Sequence, residues 1–229
     1  MKIIIRSLLV ILIFSFSRLL FSQETSNEMD AVYGMDPLLY NGKQYSYFFP
    51  LGTVGHQYLF SEDYIIGEVT IKGICYQRIV LNYDIYNQLF LLKYTNASGT
   101  SNIICISTAW LEGFKLGELD FKYLSFTDGP RFYQVLGDGP DYILIYWWKE
   151  LILEPTIGKR NFAFTPAIKN RYILLDNKLM PFRNKRTLIS LFKPENKQEI
   201  KDYIQHNRIR IKKASDKSMI DLINFIGKL

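Results

Sequence analysis

Residues 64–108 read YIIGEVTIKGICYQRIVLNYDIYNQLFLLKYTNASGTSNIICIST. They hold four runs rich in Val, Ile, Leu, Tyr, Phe and Thr, at 64–71, 74–83, 88–95 and 102–108. Between the runs stand Lys72 and Gly73, then residues 84–87, then residues 96–100. β-branched and aromatic side chains suit a pleated, half-buried surface, and Gly, Asn and Asp supply the reversals between strands. Breaks this short leave no room for a crossover helix, so neighbouring runs pair antiparallel as a meander.

The same texture extends downstream. Runs at 118–126 and 131–136 flank Asp128, Gly129 and Pro130, and Gly137 to Asp141 marks a strong turn before a long run at 142–154, YILIYWWKELILE. Runs at 171–175 and 178–182 flank Asp176 and Asn177, a two-residue hairpin signal. Upstream, residues 23–44 are polar and broken by Gly34, Pro37 and Gly42, which reads as an N-terminal arm.

Near Asn184 the period changes. Leu188, Leu191 and Phe192 fall at helical spacing, and Pro194 opens a second helix with Ile200, Tyr203 and Ile204 on one face. Ser215 is a fair N-cap for a third, striped by Met219, Leu222, Ile223 and Ile226. The expected fold is mainly β, a β-dominant α+β class: an antiparallel meander forming a curved sheet or sandwich, with two or three C-terminal helices. Its divisions are a leader at 1–22, the arm at 23–44, the β body at 45–182 and a basic helical segment at 183–229.

The leader reads as a secretory signal peptide. Lys2 and Arg6 precede the apolar run SLLVILIFSF at 7–16, and Ser22 before Gln23 offers a small residue for cleavage. Arg18 interrupts the run before it reaches the roughly 20 apolar residues a spanning helix needs. No Cys follows the cleavage region, which argues against a lipid anchor. The aromatic content suits a transmembrane barrel, but the charged, helical C-terminus does not. The expected address is outside the cytoplasm: periplasm, outer-membrane associated, or cell surface.

The chain carries 28 Lys+Arg against 22 Asp+Glu, a formal +6. Removing Lys2, Arg6 and Arg18 with the leader halves that to +3. The distribution says more than the total. Residues 23–182 hold 13 basic and 17 acidic groups, a net −4, and residues 183–229 hold 12 and 5, a net +7. An acidic body carries a basic tail.

Candidate chemistry is sparse. His56 and His206 are the only histidines, and neither has a Cys, Asp or His partner at ligand spacing, so no metal site and no cofactor are expected. The same shortage of histidines, with no nucleophile elbow, leaves no triad. Cys75 and Cys105 sit in strand-like apolar stretches and read as small buried hydrophobes; export permits a disulfide between them without requiring one. Glu150 and Glu154, after Trp147 and Trp148, have the spacing of two carboxylates beside a sugar-stacking aromatic. A strand end emerging into water explains them equally. Adjacent Trp147 and Trp148 point to opposite faces of a strand, so one can be core while the other stacks on a sugar or a protein partner. Arg208, Ile209, Arg210, Ile211, Lys212 and Lys213 alternate in a way that lines one edge of a short strand with charge. An exported chain meets anionic lipid headgroups, lipopolysaccharide phosphates or acidic protein surfaces rather than nucleic acid.

A short apolar signal ending in Phe-Ser-Gln, the phrase Val69 to Gly73 leading to Tyr76, then Leu81 to Asn87, and a basic helical end with Tyr203, Ile204 and Asn207 together carry a resemblance. The chain resembles uncharacterised exported β-rich proteins of Bacteroidota. The likeness spans most of the mature chain, implies a cell-envelope location, and transfers no functional residues.

The expectation is therefore an exported, non-catalytic cell-envelope module. It binds a protein partner or surface polymer as an accessory of an envelope or outer-membrane assembly, with Trp147, Trp148, Arg208, Arg210, Lys212 and Lys213 as candidate binding residues. The alternative is a glycan-binding or glycan-hydrolysing protein using Trp147 or Trp148 with Glu150 and Glu154.

Overall fold

The computed structural model describes residues 35–96, 98–137, 142–156, 159–175 and 177–229. The leader at 1–22, most of the arm and the turn at 138–141 lie outside the described residues. The protein is β-dominant. In chain order the strands are β1 (Gly42–Gln44), β2 (Ile65–Ile71), β3 (Ile74–Asp84), β4 (Leu89–Thr95), β5 (Ser101–Ile106), β6 (Leu111–Leu116) and β7 (Leu119–Phe126). There follow β8 (Gly129–Leu136), β9 (Tyr142–Trp148), β10 (Leu151–Thr156), β11 (Lys159–Phe164), β12 (Ile168–Leu175) and β13 (Lys178–Phe182). The helices are α1 (Lys185–Ser190), α2 (Pro194–His206) and α3 (Asp216–Ile226).

Eleven strands form one antiparallel sheet in the order β1-β5-β4-β3-β2-β6-β7-β8-β9-β12-β13, and β10-β11 form a separate hairpin. Most consecutive strands pair as a meander requires. The meander departs at β5, after which the chain returns to the far side of β2 as β6. Two further departures are β1, which pairs with β5 rather than with β2, and the β10-β11 excursion.

The sheet is rolled. Flat, β4 and β6 stand three strand spacings apart, about 14 Å, yet the rings of Phe90 and Phe114 stack at 4.1 Å. Tyr83 on β3 meets Phe132 on β8 at 5.6 Å, across about 19 Å of flat sheet. Phe114 also stacks on Phe121 at 4.7 Å, and Tyr83 meets both edge-on. Register irregularities in β2, at Gly67/Glu68 against β3 and at Thr70/Ile71 against β6, supply the bend. Gly113 permits the close approach of β6 and β7, because a Cβ there would run into the carbonyl of Phe121. Each aromatic so buried is worth about 1.5–3 kcal/mol.

The roll closes across a seam. Gln88 Nε2, at the β3–β4 turn, donates to the Trp147 carbonyl on β9 at 3.0 Å. Residues 54–59 bridge the remaining gap. Val54 exchanges backbone hydrogen bonds with Phe162 and Phe164 of β11, while Leu59 N–H donates to Tyr83 and Ile85 N–H to Gln57.

A second core lies where the same sheet face meets the helices. Leu136, Ile143, Ile145 and Ile173 pack against Met219, Leu222, Ile223 and Ile226 of α3 and Ile200 and Ile204 of α2. Asn184 caps α1 in a reciprocal box with Thr187, and Ser215 caps α3. Tyr203 of α2 stacks on Phe225 of α3 at 4.1 Å. No helix among the described residues is long and apolar enough to cross a membrane.

Three local expectations are corrected. The run at 142–154 is not one strand: β9 ends at Trp148, and β10 starts at Leu151 in a different sheet. Residues 208–213 form no strand edge. Arg208 has a positive φ of 52°, and Ile211–Lys213 make a 3-10 turn; the alternation survives as Ile209 and Ile211 packing inward. Cys75 is an exposed, free thiol on β3 rather than a buried hydrophobe, and Cys105 is free and half-buried.

Candidate functional site

The clearest concentration of unneutralised charge lies where β13 stops. Arg171 of β12 is opposite Phe182, the last residue of β13, while β12 itself begins at Ile168. The stretch 168–170 therefore has no β13 partner, leaving a notch at the sheet edge. The chain leaves the notch at Arg183 towards α1, and the 3-10 turn brings Lys212 to its rim. The space is about 350 Å³ and is lined by Lys169, Arg171, Arg183 and Lys212, with Asn170, Tyr172, Pro181 and Phe182.

Alternation along β12 explains the lining. Tyr172 faces the outer surface, edge-on to Tyr133 at 6.0 Å. Lys169, Arg171 and Ile173 alternate to the opposite face, the one the helices cover. There Lys169 Nζ sits 4.2 Å from the Trp147 ring centroid, a cation–π contact. Burial pulls the Lys169 ammonium below its ordinary pKa, with Asp216 opposing. Arg171 is half-buried, and its Nε is sealed from water with no hydrogen-bond partner among the described residues. An unsatisfied buried N–H costs about 1–3 kcal/mol.

Asp216 is the one acid acting on both cations. It opens α3, a favourable place for a negative charge, and its Oδ2 accepts from Gln134 Nε2 at 2.6 Å. Among the described residues the one salt bridge is Lys115–Glu68, far along the chain on β6 and β2. The C-terminal cations have no carboxylate within 4.0 Å among those residues. A second depression of about 500 Å³ adjoins in sequence, lined by Lys185, Arg186, Lys197 and Lys201 with Ile189 and Ser190.

Of the residues singled out from sequence, Lys212 lines the notch, and Arg208, Arg210 and Lys213 stand exposed on the turn beside it. Trp147 is held from three sides: its Nε1–H donates to Gln134 Oε1 at 2.8 Å, its carbonyl accepts from Gln88, and Lys169 lies over its ring. Trp148 points to the other face, half-buried, with its Nε1 lacking a partner among the described residues. Glu150 and Glu154 are exposed, Glu150 on the link after β9 and Glu154 opposite Asn161 in the β10-β11 hairpin. Neither basic depression is lined by either Trp or either Glu. Lys169, Arg171 and Arg183 were not singled out from sequence. The signal was there: 169, 171 and 173 alternate as basic, basic, apolar.

A second polar group closes the seam of the roll. Asp84, fully buried, accepts from Tyr45 Oη at 2.7 Å, from Asn87 Nδ2 at 2.8 Å, and from the Tyr86 and Asn87 amides. Lys149 Nζ donates to the His56 carbonyl at 2.7 Å and lies 3.4 Å from its Nδ1. These bonds tie loop to sheet and leave the groups engaged with one another. Among the described residues no three His, Cys, Asp or Glu side chains cluster as a metal site would. Comparison with protein-family models, curated proteins and solved structures finds no match to this chain.

Proposed function

We propose that this chain is an exported, non-catalytic module of the cell envelope, and that it binds an anionic partner through its basic C-terminal face. The partner is a surface polymer or an acidic protein surface. The observation that carries the reading is the fixed presentation of unpaired cations. Ile209 and Ile211 anchor the 208–213 turn in the helical core, so Arg208, Arg210, Lys212 and Lys213 are displayed from a rigid base. A preorganised set of charges loses less entropy on binding than a floppy tail. The export half of the proposal rests on Lys2, Arg6 and the apolar run at 7–16.

The test has two arms. Cells producing the chain are fractionated, and the N-terminus of the protein is read by mass spectrometry; the proposal expects an envelope fraction beginning near Gln23. The purified protein is then titrated with lipopolysaccharide and with an uncharged dextran at about 150 mM salt. Saturable binding to the first alone supports the proposal. An intact leader in the cytosol sinks the export half; equal binding of the two polymers sinks the preference for anions, and no binding of either removes a surface polymer as the partner.

A further inference from the structure

The notch at the end of β13 is more selective in its chemistry than the basic face around it. Four cations, Lys169, Arg171, Arg183 and Lys212, line one concave space. The acid that acts on Lys169 and Arg171 is Asp216, and it is already engaged by Gln134. Four cations against the one charge of Asp216 leave the notch net positive. Arg171 lines the notch half-buried, and its Nε–H is withheld from water and has no acceptor among the described residues. Lys169 is steered by the Trp147 ring, itself locked by Gln134. Arg183 and Lys212 are exposed and line the same space.

This set discriminates between anions. A carboxylate brings one charge and two acceptor oxygens. A phosphomonoester brings a charge of about −1.5 to −2 and three acceptor oxygens. A guanidinium fork matches phosphate geometry in two bonds, and flexible ammonium groups supply the remaining charge as point contacts. A volume near 350 Å³ corresponds to roughly a dozen waters, more than bare phosphate fills. It leaves room for the group that bears the phosphate. We infer that the notch is a binding site for a phosphomonoester, carried by a saccharide or by a lipid headgroup. Arg171 and Lys169 make the inner contacts, and Arg183 and Lys212 close around the remaining oxygens. The inference rests on the reading that the C-terminal face binds anions, and gives that binding a defined seat.

The experiment titrates the purified protein with glucose 6-phosphate, inorganic phosphate and glucose by calorimetry. Flotation with phosphatidylcholine vesicles, with and without phosphatidic acid, runs in parallel. The expected result is saturable one-to-one binding of glucose 6-phosphate, none of glucose, and at least a tenfold loss in Arg171→Gln and in Lys212→Gln. Lys212 and Arg183 are exposed, so Lys212→Gln and Arg183→Gln carry the test if the Arg171 variant fails to fold. Stronger retention on phosphatidic acid vesicles than by the sugar phosphate, lost in Lys212→Gln, assigns the lipid source; sugar phosphate binding alone assigns the saccharide. The inference is overturned if no phosphoester binds saturably, or if these variants bind as tightly as the wild type. If lipopolysaccharide still binds in that case, this inference alone fails. If it does not, the surface-polymer reading of the basic face fails with it.

Discussion

Trp147 and Gln134 are joined across β9 and β8 by a 2.8 Å hydrogen bond from the indole N–H to the amide oxygen. Gln134 is almost fully buried, and its other end holds Asp216 at the start of α3. One side chain thereby couples the sheet, the first turn of the last helix and the ring over which Lys169 lies.

Replacing Gln134 with Leu leaves an indole N–H and a carboxylate without their partner. The expected loss is about 3 kcal/mol, read from the urea midpoint, with a red shift of tryptophan emission in the folded state. Gln134→Glu sets a second carboxylate against Asp216. That variant should be weaker at pH 8 than at pH 4.5 relative to wild type. Equal loss at both pH values contradicts the pairing.

Asp84 should be the most sensitive polar residue of the seam. Asp84→Ala removes the acceptor of the Tyr45 O–H, whose oxygen keeps its bond from Gln57, and unties the β3–β4 turn, at about 3 kcal/mol. Tyr45→Phe removes one of the same bonds and should cost about 1 kcal/mol. The double variant should cost less than the sum, because both singles break one shared bond. Strict additivity in urea titrations would show that the two do not interact.

The roll predicts that glycines differ by position. Gly113→Ala drives a methyl into the Phe121 carbonyl and should cost about 2–3 kcal/mol. Gly73 faces open space at a positive φ of 75°, so Gly73→Ala should cost only about 1–2 kcal/mol from backbone conformation. Thermal midpoints in the reverse order would argue against the tight β6–β7 approach.

Burial pushes the phenols of Tyr58 and Tyr76 up to about 12. A raised folded-state pKa leaves its stabilisation whole below the unfolded value near 10 and removes it as pH climbs through about 12. Stability should fall over that window, and Tyr58→Phe and Tyr76→Phe should flatten the fall. His56 runs oppositely: burial first, then the Lys149 charge, lower its pKa. Its contribution is present above the unfolded value of about 6.5 and lost as pH drops below it. Its Nδ1 accepts from the Tyr58 amide at 3.2 Å, a bond that protonation there forbids. Urea midpoints across pH 5–12 check both limbs, with His56→Gln flattening the acid one.

Much of this architecture is written in local patterns. Runs of β-branched and aromatic residues bounded by Gly, Asn and Asp in 64–136 mark most strands there, and the change of period at Asn184 marks the helices. β6 escaped because Gly113 sits mid-strand with no side chain to alternate, and β11 because it opens on Lys159, Arg160 and Asn161 rather than on β-branched or aromatic residues. The break after Trp148 was illegible for another reason. Lys149 is turned in by a bond to the His56 carbonyl, a contact between segments 93 residues apart. The notch had the same character: Arg171 reads as an ordinary strand residue until β13 is seen to stop opposite it. Register, not composition, makes the site.

The most direct test is the salt dependence of lipopolysaccharide binding. Wild-type protein is compared with a variant in which Arg186, Arg208, Arg210 and Lys213, all exposed and outside the notch, are changed to Gln. Binding through the basic face predicts at least a tenfold weaker affinity at low salt. It also predicts a plot of log affinity against log salt that is shallower for the variant, since fewer counterions are released. Equal affinities and parallel slopes, with both proteins equally stable to urea, would contradict the account.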